Sequence, residues 1–156
     1  MTQLERAYTY DYALDVDGTQ DALYSGSVRD MIPRLFDGYN ATVLAYGQTG
    51  SGKTHSMGTA HRPGETPLEL AGVIPRAADE IFREIAARAD RVDVSVSVAF
   101  VELYREQLYD LLSPRGAHKE DCVCDLREDP VRGVVIPGRA RSRLCHFSNV
   151  NEKLSH

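Results

Sequence analysis

The 156-residue sequence lacks the marks of several protein classes. No apolar run approaches the roughly 20 residues that a membrane helix needs, and the first ten residues, MTQLERAYTY, contain no apolar signal-peptide core. Lysine and arginine form no block beyond residues 139–143, and the net charge is -5. Because nucleic acids attract basic surfaces, this balance argues against nucleic acid as the main partner. Neither a membrane nor a nucleic-acid partner is expected.

Cysteine is also scarce. The three cysteines, Cys122, Cys124 and Cys145, are odd in number and form no paired framework, which favours a reducing compartment such as the cytoplasm. His118 and His146 lie in the same part of the chain. Their spacing matches no zinc pattern, because C-x-C is not the C-x₂-C spacing of zinc sites. No metal site is therefore predicted in this stretch.

What is present suits one ordinary domain with a core, since 42% of the residues are hydrophobic and 26% are charged. Strands are predicted at Tyr8–Leu14, Ala41–Tyr46, Val92–Leu103, Cys122–Leu126 and Gly133–Ile136, the last two around a turn at residues 129–133. Helices are predicted from an N-cap at Thr19 to about Phe36 with a kink or break at Pro33, from Lys53 to about Met57, from Arg76 to Arg88, and as a short turn over Tyr104–Leu112. Residues 58–72, including His61, read as an exposed loop. This order of strands and helices indicates an α/β sheet with helices on both faces.

One stretch, residues 41–57 (ATVLAYGQTGSGKTHSM), carries a chemical signature. Residues 47–54 read G-x-x-x-x-G-K-[ST], the phosphate loop, between a predicted strand and a predicted helix. Glycines let backbone N–H groups point at phosphate oxygens, and the helix that begins near Gly52 adds its positive end. Lys53 would place a charge on the terminal phosphates, and Thr54 would offer its hydroxyl to Mg²⁺. A glycine-rich turn without a ligand is the alternative, which the complete motif in this context disfavours.

No catalytic acid or base is predicted. Glu102 and Glu106 are close in sequence, but the first lies on a predicted strand and the second beyond it. We interpret both carboxylates as structural or solvated.

The extended form of the loop, Tyr46 to Gly58, resembles the phosphate loop of the kinesin motor domain. Four further stretches agree with that family in order and spacing: residues 38–42, 72–76, 101–112 and 126–133. The resemblance covers roughly residues 8–138. The sequences of residues 40–44 and of the turn at residues 127–130 are most similar to those of the chromokinesin-like branch.

The resemblance implies an ATP-hydrolysing microtubule motor of the cytoskeleton. Its fold would be that of a P-loop NTPase, with a central, mostly parallel sheet and helices on both faces. The cofactors would be ATP and Mg²⁺, with Lys53 on the β and γ phosphates, Thr54 as metal ligand and His55 beside the nucleotide. The residues that would bind nucleotide are Gly47, Gln48, Thr49, Gly50, Ser51, Gly52, Lys53, Thr54 and His55.

Several family motifs have no match in this sequence. They are the Arg-x-Arg-Pro of the first strand, the N-x-x-S-S-R-S-H and D-L-A-G-x-E switches, the main tubulin-binding helix, the neck linker and any dimerisation region. We therefore expect a partial, truncated kinesin motor domain over residues 1–138 and a divergent or disordered tail over residues 139–156. Two alternatives stay open. One is a non-motor fragment that binds nucleotide weakly or acts through protein interaction. The other is an unrelated phosphate-loop enzyme such as a small-molecule kinase, which the four further stretches disfavour.

Overall fold

The computed structural model describes residues 7–58, 67–113, 122–131, 133–137 and 142–147. The chain divides into two compact units, Met1–Ala87 and Arg88–His156. In the described residues the first unit is helical and carries the phosphate loop, whereas the second unit consists of paired antiparallel strands.

The described residues of the first unit form four α-helices and a 3-10 helix. They are α1 (Gln20–Ser27), α2 (Met31–Phe36), α3 (Lys53–Met57), a 3-10 helix (Leu68–Leu70) and α4 (Val73–Ala87). The predicted N-cap at Thr19 is confirmed, because its Oγ1 accepts the N–H of Ala22 at 3.1 Å. A side-chain acceptor at this position satisfies an N–H group that has no partner inside the helix.

The helix predicted up to Phe36, with a kink or break at Pro33, is interrupted and forms the two helices α1 and α2. The break does not lie at Pro33. The N–H groups of Val28 and Arg29 both donate to the carbonyl of Tyr24 at 2.9 Å, and this widened turn, with a bond across five residues, ends α1. Pro33 sits in the first turn of α2, where a missing N–H is tolerated because the N–H groups of a first turn have no partner inside the helix.

Helix α4 is confirmed, although it begins three residues earlier than predicted, with Pro75 in its first turn. The core of this unit lies where α1 and α4 meet. Tyr24, Val28 and Val73 are buried together there. Leu23, Met31, Met57 and Ala77 pack against them, so Met57 anchors the short helix α3 to the core.

Two predicted strands of the first unit do not form. Residues 8–14 and 41–46 pair with no strand in the described part of the chain. Their side chains are largely exposed: Tyr10 by 72%, Leu44 by 85% and Tyr46 by 96%. An apolar β-prone run becomes a strand only when a neighbouring strand completes its hydrogen bonds, and no described segment does so here.

Seven strands lie in the part of the second unit that the structure describes: β1 (Val94–Val98), β2 (Val101–Tyr104), β3 (Gln107–Asp110), β4 (Val123–Cys124), β5 (Arg127–Asp129), β6 (Gly133–Val135) and β7 (Ser142–Phe147). They form three small sheets in the orders β1–β7, β2–β3–β4 and β5–β6. Every pairing is antiparallel. Helices and strands are both present as predicted, but the described residues contain no mostly parallel central sheet.

The region between Val92 and Leu112 differs most from its prediction. The long strand is interrupted after Val98, and its two parts, β1 and β2, belong to different sheets. The predicted helical turn after it is instead the second strand of a β2–β3 hairpin. Arg105 and Glu106 form the two-residue turn with φ of 49° and 63°, the left-handed values that a type I′ hairpin turn requires.

The following hairpin is partly as predicted. Its turn at residues 129–133 and its second strand β6 are confirmed. The partner of β6 is β5, however, and not residues 122–126, of which Val123 and Cys124 pair with β3 instead. The stretch expected to be a divergent or disordered tail contains β7, which pairs with β1. The domain boundary after residue 138 stays a prediction.

Candidate functional site: the phosphate loop

The phosphate loop, residues 47–55, leads directly into α3. Gly50 and Gly52 have φ of 81° and 91°, and a Cβ built on either would meet nothing within 4 Å. Backbone conformation therefore explains these glycines, whereas crowding does not. Gly52 is also the N-cap of α3 and carries no side chain that could cover the helix end. The loop thus keeps an open, main-chain surface at the start of the helix.

Lys53 closes the loop on itself. Its Nζ donates to the carbonyl oxygens of Gly47 and Gln48, each at 2.7 Å. The N–H of Ser51 also donates to the Gln48 carbonyl at 3.2 Å. The Lys53 ammonium is therefore held within the loop by two uncharged carbonyl acceptors. A phosphate oxygen would offer that ammonium a stronger, charge-assisted hydrogen bond than a carbonyl does.

The first turn of α3 supplies donors for the same position. The N–H groups of Lys53, Thr54 and His55 precede the first intrahelical hydrogen bond, which joins Ser56 to the carbonyl of Gly52 at 2.9 Å. Such N–H groups at the start of a helix suit an anion. The side chains of Thr54 and His55 are exposed, so both can reach a bound molecule.

The C-terminal end of α3 is held by a contact that the sequence did not indicate. Gln20, only 7% exposed, donates from Nε2 to the carbonyl of His55 at 2.8 Å. Its Oε1 is buried and has no hydrogen-bond partner in the described part of the structure. An unsatisfied buried acceptor costs about 1–3 kcal/mol. Nothing in the sequence distinguishes Gln20 from an ordinary helix residue, because its partner lies 35 positions away.

A cavity of about 590 Å³ lies beside His55 in the first unit. Its lining residues are Gly18, Thr19, Gln20, Asp21, His55, Glu69, Leu70 and Arg76. Arg76 orders one wall, because it donates to the carbonyl of Ala71 at 2.7 Å and to the carboxylate of Asp21 at 2.9 Å. The segment before α4 is thereby fixed against the start of α1.

A second polar contact joins α1 to α4. The hydroxyl of Tyr24 donates to Glu80 Oε2 at 2.8 Å, and Arg29 Nε lies 3.8 Å from the same oxygen. Burial of Tyr24, followed by its hydrogen bond to the Glu80 carboxylate, raises the pKa of the phenol well above its ordinary value. Tyr24 is therefore a neutral donor at physiological pH.

The other candidate groups lie away from this loop in sequence. Glu102 and Glu106 belong to the second unit, and both side chains are exposed, as expected of solvated carboxylates. Burial, with a contribution from the Asp110 carboxylate, raises the pKa of the Cys124 thiol. The described residues contain no group of three side chains suited to a metal ion, and His118 lies outside them. They also contain no helix long and apolar enough to cross a membrane.

Comparison with known proteins supplies the family. The profile of the kinesin motor domain matches residues 1–156. The chain is 43% identical over 134 residues to the chromosome-associated kinesin KIF4 of Xenopus laevis, which covers 86% of this chain and 11% of that protein. It is 49% identical over 118 residues to the kinesin-like protein klp-12 of Caenorhabditis elegans, with 70% and 7% covered. It is 37% identical over 151 residues to human KIF27, with 97% and 10% covered.

A solved structure is similar as well. The crystal structure of the Drosophila kinesin family member Kin10/NOD, in complex with divalent manganese and ADP, matches with a TM-score of 0.63 and 37% identity. The match covers 70% of this chain and 38% of that one. The chain thus spans about a tenth of the length of the curated relatives and over a third of the solved motor. The chain belongs to the kinesin motor domain family.

Proposed function

We propose that residues 47–55 bind the phosphates of ATP and ADP together with Mg²⁺, and that the motor to which they belong couples ATP hydrolysis to movement along microtubules. The observation that carries the proposal is the position of the Lys53 ammonium, held 2.7 Å from two loop carbonyls at the start of α3. The manganese and ADP in the similar Kin10/NOD structure support the same ligand class.

The residues present fit such a ligand. Lys53 would exchange the carbonyls of Gly47 and Gln48 for the β and γ phosphates, with the first-turn N–H groups of α3 facing the same oxygens. The exposed hydroxyl of Thr54 would hold the metal ion, and His55 would lie beside the nucleotide. Mg²⁺ neutralises charge on the phosphates when it is bound. Within the full motor fold, we propose that this loop borders the mostly parallel central sheet of the family.

Hydrolysis needs more than binding. Phosphoryl transfer depends on positioning and charge neutralisation, and a motor also needs elements that respond to the γ-phosphate. The sequence contains neither switch motif of the family, so no catalytic residue is assigned in this chain. The microtubule partner, the ATPase activity and the cytoplasmic, cytoskeletal location belong to the proposal for the motor.

A second candidate is a non-motor role through protein interaction. It is favoured by the exposed apolar side chains that precede the loop, among them Leu44 at 85% and Tyr46 at 96% exposure. Contiguous exposed apolar surface marks interaction sites. In that case the chain would bind nucleotide weakly or not at all, and its association with other proteins would not depend on Lys53.

Hydrolysis of ATP by the purified chain, measured with and without microtubules, separates these candidates. The motor proposal predicts that microtubules increase the rate and that Lys53→Ala abolishes the increase. An equal rate with and without microtubules would contradict a motor function of this chain. Nucleotide binding that is lost in Lys53→Ala, without any microtubule effect, would support the fragment instead.

A further inference from the structure

The hydrogen bond between Gln20 and the His55 carbonyl holds α3, the short helix that follows the phosphate loop. Helix α3 has only five residues, so a tilt of its C-terminal end also turns the N–H groups at its start. The carbonyl of His55, near that C-terminal end, accepts two hydrogen bonds. One comes from the N–H of Gly58 at 3.2 Å, within the same turn, and the other from Gln20 Nε2 at 2.8 Å.

Of these two hydrogen bonds, the one from Gln20 joins α3 to another helix. The Gly58 bond is local and would survive any rigid movement of the turn. Gln20 begins α1, whose position is set by the buried cluster of Tyr24, Val28 and Val73. A bond from the start of α1 to the end of α3 therefore relates the phosphate loop to the core of the unit.

The other polar atom of the Gln20 side chain, Oε1, also suggests that this residue serves to hold α3. Gln20 is only 7% exposed and its Oε1 is buried, yet this oxygen finds no partner in the described residues. A side chain kept only for packing would have no need of a polar group there, because an apolar residue of equal length would fill the space without an unsatisfied acceptor. Within the described part of the chain, the side chain of Gln20 makes one hydrogen bond, and it goes to α3.

We infer that Gln20 is a positioning residue of the phosphate loop: its amide holds the His55 carbonyl and so orients the first turn of α3 toward the nucleotide phosphates. This inference rests on the proposed nucleotide binding. Among the described residues, the side chain of Gln20 makes no hydrogen bond to loop residues 47–52 or to the Lys53 ammonium. It acts through α3 alone.

The test compares two variants that share only the loss of the donor. Gln20→Met keeps the length of the side chain and removes both polar atoms, whereas Gln20→Glu keeps the shape and replaces the donating NH₂ group with an acceptor oxygen. Tyr24→Phe is the matched control, because the hydrogen bond that it removes joins α1 to α4 and does not involve α3. The readouts are the Kd for Mg·ADP from calorimetry and the exchange rates of the amides of residues 56–58 by mass spectrometry without nucleotide.

We expect both Gln20 variants to raise the Kd about five- to tenfold, the effect of one lost hydrogen bond, and to speed amide exchange at residues 56–58. Tyr24→Phe should lower the thermal midpoint without either change. Unchanged Kd and exchange in Gln20→Met, beside a Lys53→Ala variant that binds Mg·ADP more weakly than the unaltered chain, would overturn the inference alone. Absence of Mg·ADP binding by the unaltered chain would overturn it together with the proposed function, and the exchange data would then show whether the bond exists.

Discussion

The backbones of Gly58 and Gly72 meet directly, and neither position has room for a side chain. A Cβ on Gly72 would lie 2.6 Å from Gly58 Cα and 2.6 Å from the carbonyl oxygen of Ser56. A Cβ on Gly58 would lie 2.7 Å from Gly72 N. Gly58 ends α3 and Gly72 precedes α4, so this contact brings the phosphate-loop helix and the longest helix of the unit together.

Gly72→Ala should therefore destabilise the chain. The new methyl group meets main-chain atoms that cannot move aside as a flexible side chain would, and overpacking of this kind costs about 1–3 kcal/mol. Equilibrium unfolding in urea measures the change.

Gly26→Ala is the control for that substitution. A Cβ there would approach the ring of Tyr12, which is 50% exposed and free to turn away. Alanine also favours the helix by up to about 1 kcal/mol over glycine. The control should be neutral or stabilising, and a Gly72→Ala variant as stable as Gly26→Ala would contradict the close backbone contact.

The buried phenol of Tyr24 should make stability depend on alkaline pH. Its folded-state pKa lies above the ordinary value, so above about pH 10 the unfolded chain loses a proton that the folded chain keeps. The stabilisation from Tyr24 is complete below that pH and is lost as the pH rises further, by up to about 1.4 kcal/mol per pH unit. Thermal or urea unfolding from about pH 9 to about pH 11, a range around the ordinary pKa of tyrosine, measures how the free energy of unfolding changes with pH.

Tyr24→Phe should remove that part of the slope, although it also loses the hydrogen bond to Glu80, worth about 1 kcal/mol. Tyr46→Phe is the comparison, since Tyr46 is 96% exposed. If Tyr24→Phe and Tyr46→Phe show the same alkaline slope, the phenol of Tyr24 is not the group responsible.

The turn between β2 and β3 should gain stability from glycine. Glu106 has φ of 63°, a left-handed value that costs a residue with a Cβ about 1–2 kcal/mol and costs glycine almost nothing. Glu106→Gly should raise the free energy of unfolding by about 1 kcal/mol, after the entropy cost of glycine in the unfolded chain.

Glu102→Gly, on β2 of the same hairpin, should lower the free energy of unfolding. Glu102 is an exposed strand residue, and glycine in a strand costs about 0.5–1 kcal/mol. Urea midpoints of the two variants test the pair. A Glu106→Gly variant less stable than the parent would contradict the left-handed turn.

The hairpin also shows where sequence patterns fail. Residues 104–112 predicted a helical turn, because YREQLYDLL has apolar residues at helical spacing and no glycine or Asn-Gly pair. The turn forms instead on Arg105 and Glu106, which are not typical of left-handed positions. Pairing of β3 with both β2 and β4 supplies the hydrogen bonds that favour this backbone. Tertiary pairing of that kind is not visible in a local window.

Local signals, by contrast, were reliable where the structure depends on local chemistry. Thr19 caps α1, the segment after Gly52 is helical, and the amphipathic stripe after Val73 forms α4. Nine consecutive loop residues could be predicted as a candidate site because a phosphate loop is continuous in sequence. Gln20 could not, since its contact with His55 depends on how α1 and α3 pack.

Binding of Mg·ADP by calorimetry tests the central claim most directly, with the unaltered chain, Lys53→Ala and Arg34→Ala compared. Arg34→Ala removes the same charge from an exposed position on α2. Loss of one charge-assisted hydrogen bond should weaken binding by about 10- to 100-fold in Lys53→Ala. We expect Arg34→Ala to bind Mg·ADP with the affinity of the unaltered chain. Equal affinities of Lys53→Ala and the unaltered chain would contradict a nucleotide site at residues 47–55.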